Sequence, residues 1–173
     1  MNNHLVITIS LLAITLAGCA TPARNENMVA SGKFEHQKRS SKFYNAIKDT
    51  TVMGGSETIP LWTSQVSSED FQLALNKSLK KAGLISPNGQ YELSARLIAL
   101  DQPLAGVGMT VRATVEYIIK DKVTHAIIFN ETVHSAYTAG ITDSILCVER
   151  LRLANEGASR RNIEILLKKI SRY

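Results

Sequence analysis

Residues able to act as a nucleophile, a base or a metal ligand are scattered along this chain of 173 residues. Of its four histidines, His125 and His134 share a predicted strand but are separated by an odd number of positions. Strand side chains alternate between faces, so these two imidazoles cannot hold one metal ion together. No HExxH, CxxC or Gly-x-Ser-x-Gly pattern occurs. We therefore predict no catalytic residues, no metal site and no cofactor.

Three carboxylates lie on or near predicted strands and are candidates for acid–base chemistry: Asp101, Glu116 and Glu131. Nothing in the sequence brings them together. Glu131 shares its parity with the apolar Phe129 and Val133, which a local bulge or an arginine partner from the last helix would explain. We expect Glu131 at a solvent edge, in a structural ion pair rather than a catalytic site.

The N-terminus is typical of an export signal. Residues 1–18 contain no Lys, Arg, Asp or Glu, and Leu5 to Leu16 is an almost unbroken apolar run. This run is shorter than the about 20 residues that a spanning helix needs, and small residues follow it. We expect cleavage between Gly18 and Cys19. The alternative, a buried N-terminal helix with an ordinary cysteine, fits this pattern less well.

The four residues Leu16-Ala17-Gly18-Cys19 resemble the lipobox of bacterial lipoproteins. The resemblance implies that the Cys19 thiol is linked to diacylglycerol and that the new N-terminus is acylated, for example with palmitate. Such chains anchor a protein stably in a membrane. The next residue is Ala20 rather than Asp, which by resemblance to the Gram-negative sorting rule favours the outer membrane, facing the periplasm, over the inner membrane.

The remaining chain is long enough for one compact domain. We predict a lipidated, flexible tether over residues 19–43, which are polar and basic, and a single α/β domain over residues 44–173. The net charge of +5 points to anionic envelope surfaces before nucleic acid, or simply to solubility. With Cys19 lipidated, Cys147 has no disulfide partner, so we expect it to be buried in the oxidising periplasm.

The apolar pattern predicts an α+β fold. Ser67 and the acids after it are typical of a helix N-cap, and helical spacing continues to Gly83. One or two strands are expected between residues 44 and 66. Alternation, with Ala99 and Ile127 among the inward residues, then predicts an antiparallel meander of three strands at residues 91–99, 109–120 and 124–138.

A long helix is predicted from about Asp143 to Ser171. Its apolar stripe rotates after Gly157, so we expect a kink or a change of packing partner there. Asn155 and Asn162 lie beside the stripe and, if buried, should bond backbone groups. The predicted architecture is a two-layer α/β sandwich, in which two helices cover one face of an antiparallel sheet of about four strands.

Arg150, Arg161 and Lys168 fall near one line of this helix at 3.6 residues per turn. Such a basic stripe could contact the phosphates of anionic lipid or lipopolysaccharide. The alternative, which we favour, is an ordinary solvated face on which these cations alternate with the acids at positions 149, 156 and 164.

Together with the lipobox, the stretches Glu149–Ile163 (ERLRLANEGASRRNI) and Leu100–Leu104 (LDQPL) resemble a family of small Gram-negative lipoproteins without an established activity. The resemblance covers most of the mature chain. Some relatives carry the label UDP-N-acetylglucosamine acyltransferase. Such acyltransferases are hexapeptide-repeat β-helices with a catalytic histidine. This chain has no such repeat, so that activity does not transfer to it.

The sequence therefore predicts a non-enzymatic, membrane-anchored periplasmic lipoprotein, an accessory or binding module of the cell envelope. Its expected partners are the membrane, through the lipid, and an envelope protein complex or an anionic glycolipid. Two alternatives stay open. An envelope enzyme with an unrecognised site would show a pocket that gathers Glu131, His125 or Asp101, and a lipid shuttle would show a sizeable apolar cavity between sheet and helices.

Overall fold

The computed structural model describes residues 20–32, 41–57 and 64–173, and within these ranges it has three helices and four strands. In chain order, the elements are α1 (Asn25–Met28), β1 (Ile47–Met53), α2 (Ser68–Lys81), β2 (Tyr91–Asp101), β3 (Met109–Asp121), β4 (Ile127–Ala139) and α3 (Cys147–Ile170). The four strands form one open sheet, which α2 and α3 cover on one face. The predicted α+β class is confirmed.

The sheet has the strand order β1-β2-β3-β4. Strands β2, β3 and β4 pair antiparallel, as the alternating pattern predicts. Strand β1 departs from the expected antiparallel sheet, because it pairs parallel to β2. Parallel neighbours need a crossover connection, and the chain between β1 and β2 contains α2, which supplies it.

The strands differ from the prediction in two details. A pairing irregularity between Leu97 and Ala99 brings Leu100, rather than Ala99, opposite the buried Ala113 of β3. A bulge adds one residue to a strand and so reverses the parity of the side chains after it. Strand β4 begins at Ile127, whose side chain is exposed rather than inward.

Helix α2 begins as the sequence indicates. The hydroxyl of Ser67 accepts a hydrogen bond from the backbone N–H of Asp70 at 3.0 Å, which satisfies one free donor of the first turn. Glu69 and Asp70 lie in that turn, where their charge is favourable. The helix ends at Lys81, and Gly83 follows with a φ of 70°, a conformation that costs glycine little.

Helix α3 changes its packing partners along its length. Leu151 and Ala158, on its first half, belong to a small apolar cluster, whereas Ile163 and Leu166 belong to the main core. This confirms the change of packing predicted near Gly157. A Cβ atom at Gly157 would lie 2.3 Å from the ring of Tyr137, so glycine allows the helix to approach β4 closely.

A buried polar network fixes α3 against the sheet. The side-chain amide of Asn162 donates to the carbonyls of Val133 and Ala113 at 3.0 and 3.2 Å. Its oxygen accepts from the Tyr117 hydroxyl at 2.9 Å. Burial raises the pKa of that phenol well above its usual range. The network ties the helix to two neighbouring strands and confirms the backbone role predicted for Asn162.

Replacing Gly157 with alanine should destabilise the fold. The new methyl group would overlap the Tyr137 ring, and such overpacking costs about 1–3 kcal/mol. Urea unfolding measures the loss. A matched control is Gly140→Ala, whose Cβ would meet only ordinary contacts at 3.8 Å or more. Adding Tyr137→Ala to Gly157→Ala should recover part of the stability. Equal midpoints for Gly157→Ala and the parent protein would contradict this account.

Replacing Tyr117 with phenylalanine should lower the free energy of unfolding at pH 7 by about 1–3 kcal/mol, because the buried oxygen of Asn162 loses its donor. The raised pKa adds a pH dependence. Above about pH 10 the unfolded phenol ionises while the folded one stays protonated, so the parent protein loses stability as the pH rises.

The Tyr117→Phe variant should lack this alkaline component. Urea unfolding at several pH values between neutral and strongly alkaline tests it. Tyr44→Phe, at an exposed tyrosine, is the control and should retain the alkaline loss of the parent protein. An identical alkaline slope in Tyr117→Phe and the parent would rule out the buried phenol as its source.

Candidate functional site

Residues 20–32, here named the N-terminal segment, are bound to the rest of the domain through a network of polar contacts with α2 and α3. The sequence predicted a flexible tether here. Instead, the segment packs between α2 and α3 through its short helix α1. Ala23, Met28 and Ala30 are buried, and Met28 is part of the main core. Full burial of a methionine side chain contributes about 1.5–3 kcal/mol.

Helix α3 presents a row of alternating charges toward this segment. The residues follow each other at i+4 spacing, so they lie along one side of the helix. We name them the charged row: Arg152, Glu156, Arg160 and Glu164. Three of the four bond directly to the N-terminal segment. These acids were predicted to lie on a solvated helix face, but Glu156 is only 2% exposed.

Glu156 is the centre of the contact. One carboxylate oxygen accepts from the backbone N–H of Arg24 at 2.9 Å and from the Arg152 guanidinium at 2.8 Å. The other accepts from the side-chain amide of Asn27 at 2.9 Å. A buried carboxylate is tolerated when it is paired and hydrogen-bonded in this way. Arg152 also bonds Glu149 at 3.1 Å, so both charges are compensated.

Further along α3, the same pattern continues. The guanidinium of Arg160 donates to the backbone carbonyl of Asn27 at 3.0 Å. Glu164 accepts from both the backbone N–H and the hydroxyl of Ser31, at 3.0 and 2.9 Å. Rising positions in the segment therefore meet rising positions in α3. The N-terminal segment runs in the same direction as the helix.

Helix α2 holds the other side of the segment. The hydroxyl of Ser78 accepts from the backbone N–H of Ala30 at 2.9 Å, inside the core. Asn25 donates to Asp70 at 3.2 Å and accepts from Lys77 at 2.7 Å. With both helices engaged, the segment belongs to the folded domain. The predicted domain start at residue 44 is also late by this measure, because Phe43 is buried.

The predicted signal and lipidation residues, Gly18 and Cys19, lie outside the described residues, as does part of the predicted tether, residues 33–40. Of the predicted basic stripe, Arg161 and Lys168 are exposed. Arg150 is buried, and its guanidinium bonds backbone carbonyls instead. The three cations therefore form no continuous exposed stripe. Helical spacing cannot reveal that a neighbouring loop covers one of its residues.

Other predicted positions turn out as follows. Cys147 is exposed rather than buried, at the start of α3. His125 lies in the turn before β4 with a φ of 59°, not on a strand. Glu131 pairs with Lys169 of α3 at 3.0 Å. An ion pair with the last helix was expected, although with arginine. Asn155 is buried and donates to the carbonyl of Ser64 at 2.8 Å.

The uncovered face of the sheet carries a groove of about 430 Å³ near the ends of β2, β3 and β4. Ser135 lines it but bonds the carbonyl of Ala158 in α3, and the other polar side chains of the lining are those of Asp101, Arg112, Thr114 and His134. Thr114 and His134 are in hydrogen-bond contact at 3.1 Å. All four side chains are exposed or half-buried, so the groove does not exclude water from any of them. It gathers Asp101, but neither Glu131 nor His125.

A second cavity, of about 440 Å³, lies between α1 and α2 rather than between sheet and helices. Its lining combines the apolar Val29 with Glu26 and with Lys77, Lys80 and Lys81. Within the described ranges, no three His, Cys, Asp or Glu side chains are grouped as metal ligands. No helix in the same ranges is both long and apolar enough to cross a membrane.

Comparison with known proteins identifies solved structures that share this fold. No family model matches the chain, and no curated protein sequence is significantly similar to it. A solved structure from Xanthomonas campestris, of family DUF330, has a TM-score of 0.53 at 10% identity and covers 75% of this chain and 87% of its own. The hypothetical protein CT253 from Chlamydia trachomatis has a TM-score of 0.51 at 9% identity, with 75% and 99% coverage.

A minor lipoprotein from Acinetobacter baumannii is a more distant structural neighbour. It has a TM-score of 0.42 at 18% identity and covers 75% of this chain and 89% of its own. At these identities the first two structures establish a shared fold and nothing about activity. The third is too distant to add to that.

Removing the Glu156 carboxylate should release the N-terminal segment. In Glu156→Ala, the amide of Arg24 loses its acceptor, and a hydrogen bond to a charged group contributes about 1.5–3 kcal/mol. Hydrogen exchange at Arg24 should therefore accelerate about tenfold to a hundredfold. The control is Glu26→Ala, in the same segment, which removes only an exposed ion pair with Lys77. Unchanged exchange at Arg24 in Glu156→Ala would contradict the role given to this carboxylate.

Proposed function

We propose that this chain is the precursor of an outer-membrane lipoprotein that faces the periplasm. Residues 1–18 would be its signal peptide, and Cys19 would carry the lipid. The observation that carries this proposal is the lipobox-like Leu16-Ala17-Gly18-Cys19 at the end of an uncharged apolar run.

We further propose that the domain is non-enzymatic and serves as an accessory or binding module of an envelope protein complex. The uncovered sheet face supports this role. It carries an exposed Arg96–Glu116 ion pair at 2.9 Å and the exposed Ile98. A face that mixes charged and apolar side chains suits recognition of another protein. Its reactive groups lie in solvent rather than in an enclosed cleft, which argues against catalysis.

Binding of an anionic glycolipid is the second candidate function. The cavity between α1 and α2 supports it, because three lysines and one acid, Glu26, line it together with the apolar Val29. The ammonium groups suit phosphates and the apolar patch suits an acyl chain. The groove with Thr114 and His134 gives the enzyme alternative its own candidate site, although one that is open to water.

The lipid anchor is tested by Cys19→Ser in the full precursor. The thiol is the proposed site of attachment, so the variant should leave the membrane fraction or stay uncleaved, whereas the parent protein fractionates with membranes. Mass spectrometry of the parent's N-terminal peptide should show a diacylglyceryl and acyl mass on Cys19. Cys147→Ser is the control and should fractionate like the parent. Unchanged membrane fractionation of Cys19→Ser, without lipid mass on the parent, would overturn the lipoprotein proposal.

The binding role is tested by photo-crosslinking in living cells. Probes at Arg96, Arg112 and Glu116 sample the open sheet face, and a probe at Arg161 samples the exposed side of α3. We expect one discrete protein adduct from the sheet face and none from Arg161. Adducts from no position, at normal expression, would remove the binding-module proposal and favour glycolipid binding or catalysis.

A further inference from the structure

We propose that the domain contacts the lipid bilayer directly, through a set of exposed apolar side chains at one end of the sheet. We name this set the apolar tip: Leu104, Val107, Ile141, Ile145 and Leu146. The proposal rests on the lipoprotein assignment above and adds to it a second membrane contact, which orients the domain. The apolar tip would enter the headgroup region of the leaflet that holds the Cys19 lipid.

The apolar tip is formed by two connections that meet at the same end of the sheet. Residues 102–108 join β2 to β3, and residues 140–146 join β4 to α3. Met109 pairs with Ala139 at that end, so the two connections are neighbours. Their side chains are unusually exposed for apolar residues: Leu104 is 100% exposed, Ile145 86% and Val107 72%.

Arg150 holds these two connections in place. Its guanidinium donates to the carbonyls of Ser144 and Ile145 at 2.9 and 2.8 Å, and to the carbonyl of Gly106 at 3.2 Å. The acid within the second connection is also engaged, because Asp143 accepts from the backbone N–H of Gly140 at 2.7 Å. The carbonyls of Gly106, Ser144 and Ile145 therefore face Arg150, while the apolar side chains of the two connections are exposed.

The N-terminal segment leads to this end of the sheet. The N-terminal segment runs parallel to α3, with Arg24 at Glu156 and Ser31 at Glu164. Ala23 lies beside the end that carries the apolar tip. Its backbone N–H bonds the carbonyl of Gln65, and the carbonyl of the preceding Ser64 accepts from Gln102, at the start of the connection between β2 and β3. A lipid on the residue before Ala20 would enter the membrane beside the tip.

A bilayer is the occupant that this arrangement fits. An acyl anchor at the same end would already hold the domain against the leaflet. The tip can therefore enter the headgroup region without an independent membrane-binding step. Apolar side chains at such a surface bury about 5–10 Å deep, at the boundary between headgroups and acyl chains. Isolated exposed apolar residues are ordinary, but a cluster on one end of a domain marks a contact surface.

The opposite end of the sheet provides a matched control. The turn between β3 and β4 exposes Val123, which is 83% in solvent, as much as the tip residues. Beside it lie Asp121, which accepts from the backbone N–H groups of Val123 and Thr124 at 2.9 Å each, and the exposed Ile127 at the start of β4. The proposal predicts that Val107 and Ile145 touch lipid while Val123 stays in water.

The test uses the lipidated full-length protein, reconstituted in vesicles of phosphatidylethanolamine and phosphatidylglycerol that contain a nitroxide-labelled lipid. In a Cys147→Ser background, single cysteines replace Val107, Ile145 or Val123 and carry an environment-sensitive fluorophore. We expect strong quenching by the nitroxide and a blue-shifted emission at positions 107 and 145, and neither effect at position 123. Equal behaviour at all three positions, with the protein still bound to vesicles, would overturn the proposal.

Two further outcomes are distinguishable. Labels at 107 and 145 that are shielded from water but not quenched by lipid would mean that a protein or a second copy covers the tip, which also overturns the bilayer proposal. Protein without lipid mass on Cys19 that stays in solution would be a failure of the lipoprotein assignment instead. Mass spectrometry of the N-terminal peptide separates these cases.

A second measurement uses the native thiol. Cys147 is exposed at the start of α3 and can be labelled without substitution. The variant Leu104→Asp/Ile145→Asp should retain the parent's unfolding temperature, because both side chains are exposed, but should reduce lipid quenching at Cys147 several-fold. The control is Val123→Asp, which should leave that quenching unchanged. Unchanged quenching in the double variant would count against contact through the tip.

Discussion

The position of the N-terminal segment depends on one contact, the buried carboxylate of Glu156. It collects a backbone N–H, a side-chain amide and a guanidinium, from Arg24, Asn27 and Arg152. Removing a carboxylate from water is costly, and these bonds offset the cost only if the segment is docked. Docking of residues 20–32 and burial of the Glu156 charge therefore occur together.

Helix α3 connects the docked N-terminal segment to the rest of the domain. The polar network of Asn162 sets its position on β3 and β4, Gly157 sets its distance from β4, and the charged row sets where the N-terminal segment lies. Arg150 adds the two connections at the end of the sheet. Its charge lies in the first turn, where the helix dipole is unfavourable to cations, and three carbonyl oxygens compensate it.

Much of this fold follows from local pattern. Helix α2 was predictable from Ser67 and the spacing behind it, and the meander from strict alternation, because both signals act over a few neighbouring residues. The parallel pairing of β1 was not predictable in this way, because the crossover through α2 sets its partner strand. The bulge after Leu97 and the late start of β4 were also missed, because pairing across strands decides them.

The candidate site was harder to predict than the fold. Residues 20–32 contain few large apolar side chains, and their contacts with α3 join residues more than a hundred positions apart. The i+4 row of alternating charges on α3 was the one available signal. It was interpreted as a solvated face, because sequence alone does not show what lies opposite a helix.

The docked N-terminal segment would also fix the height of the domain above a membrane if Cys19 carries a lipid. A flexible segment would let the domain move freely relative to its first described residues, whereas a segment bonded from Arg24 onward is held against α3. Strand β3 has 13 residues, so at about 3.3 Å per residue the turn at Val123 lies about 43 Å from the opposite end of the sheet. If that opposite end contacts the bilayer, the strands stand roughly upright on the membrane. The open sheet face then points sideways, toward proteins anchored in the same leaflet.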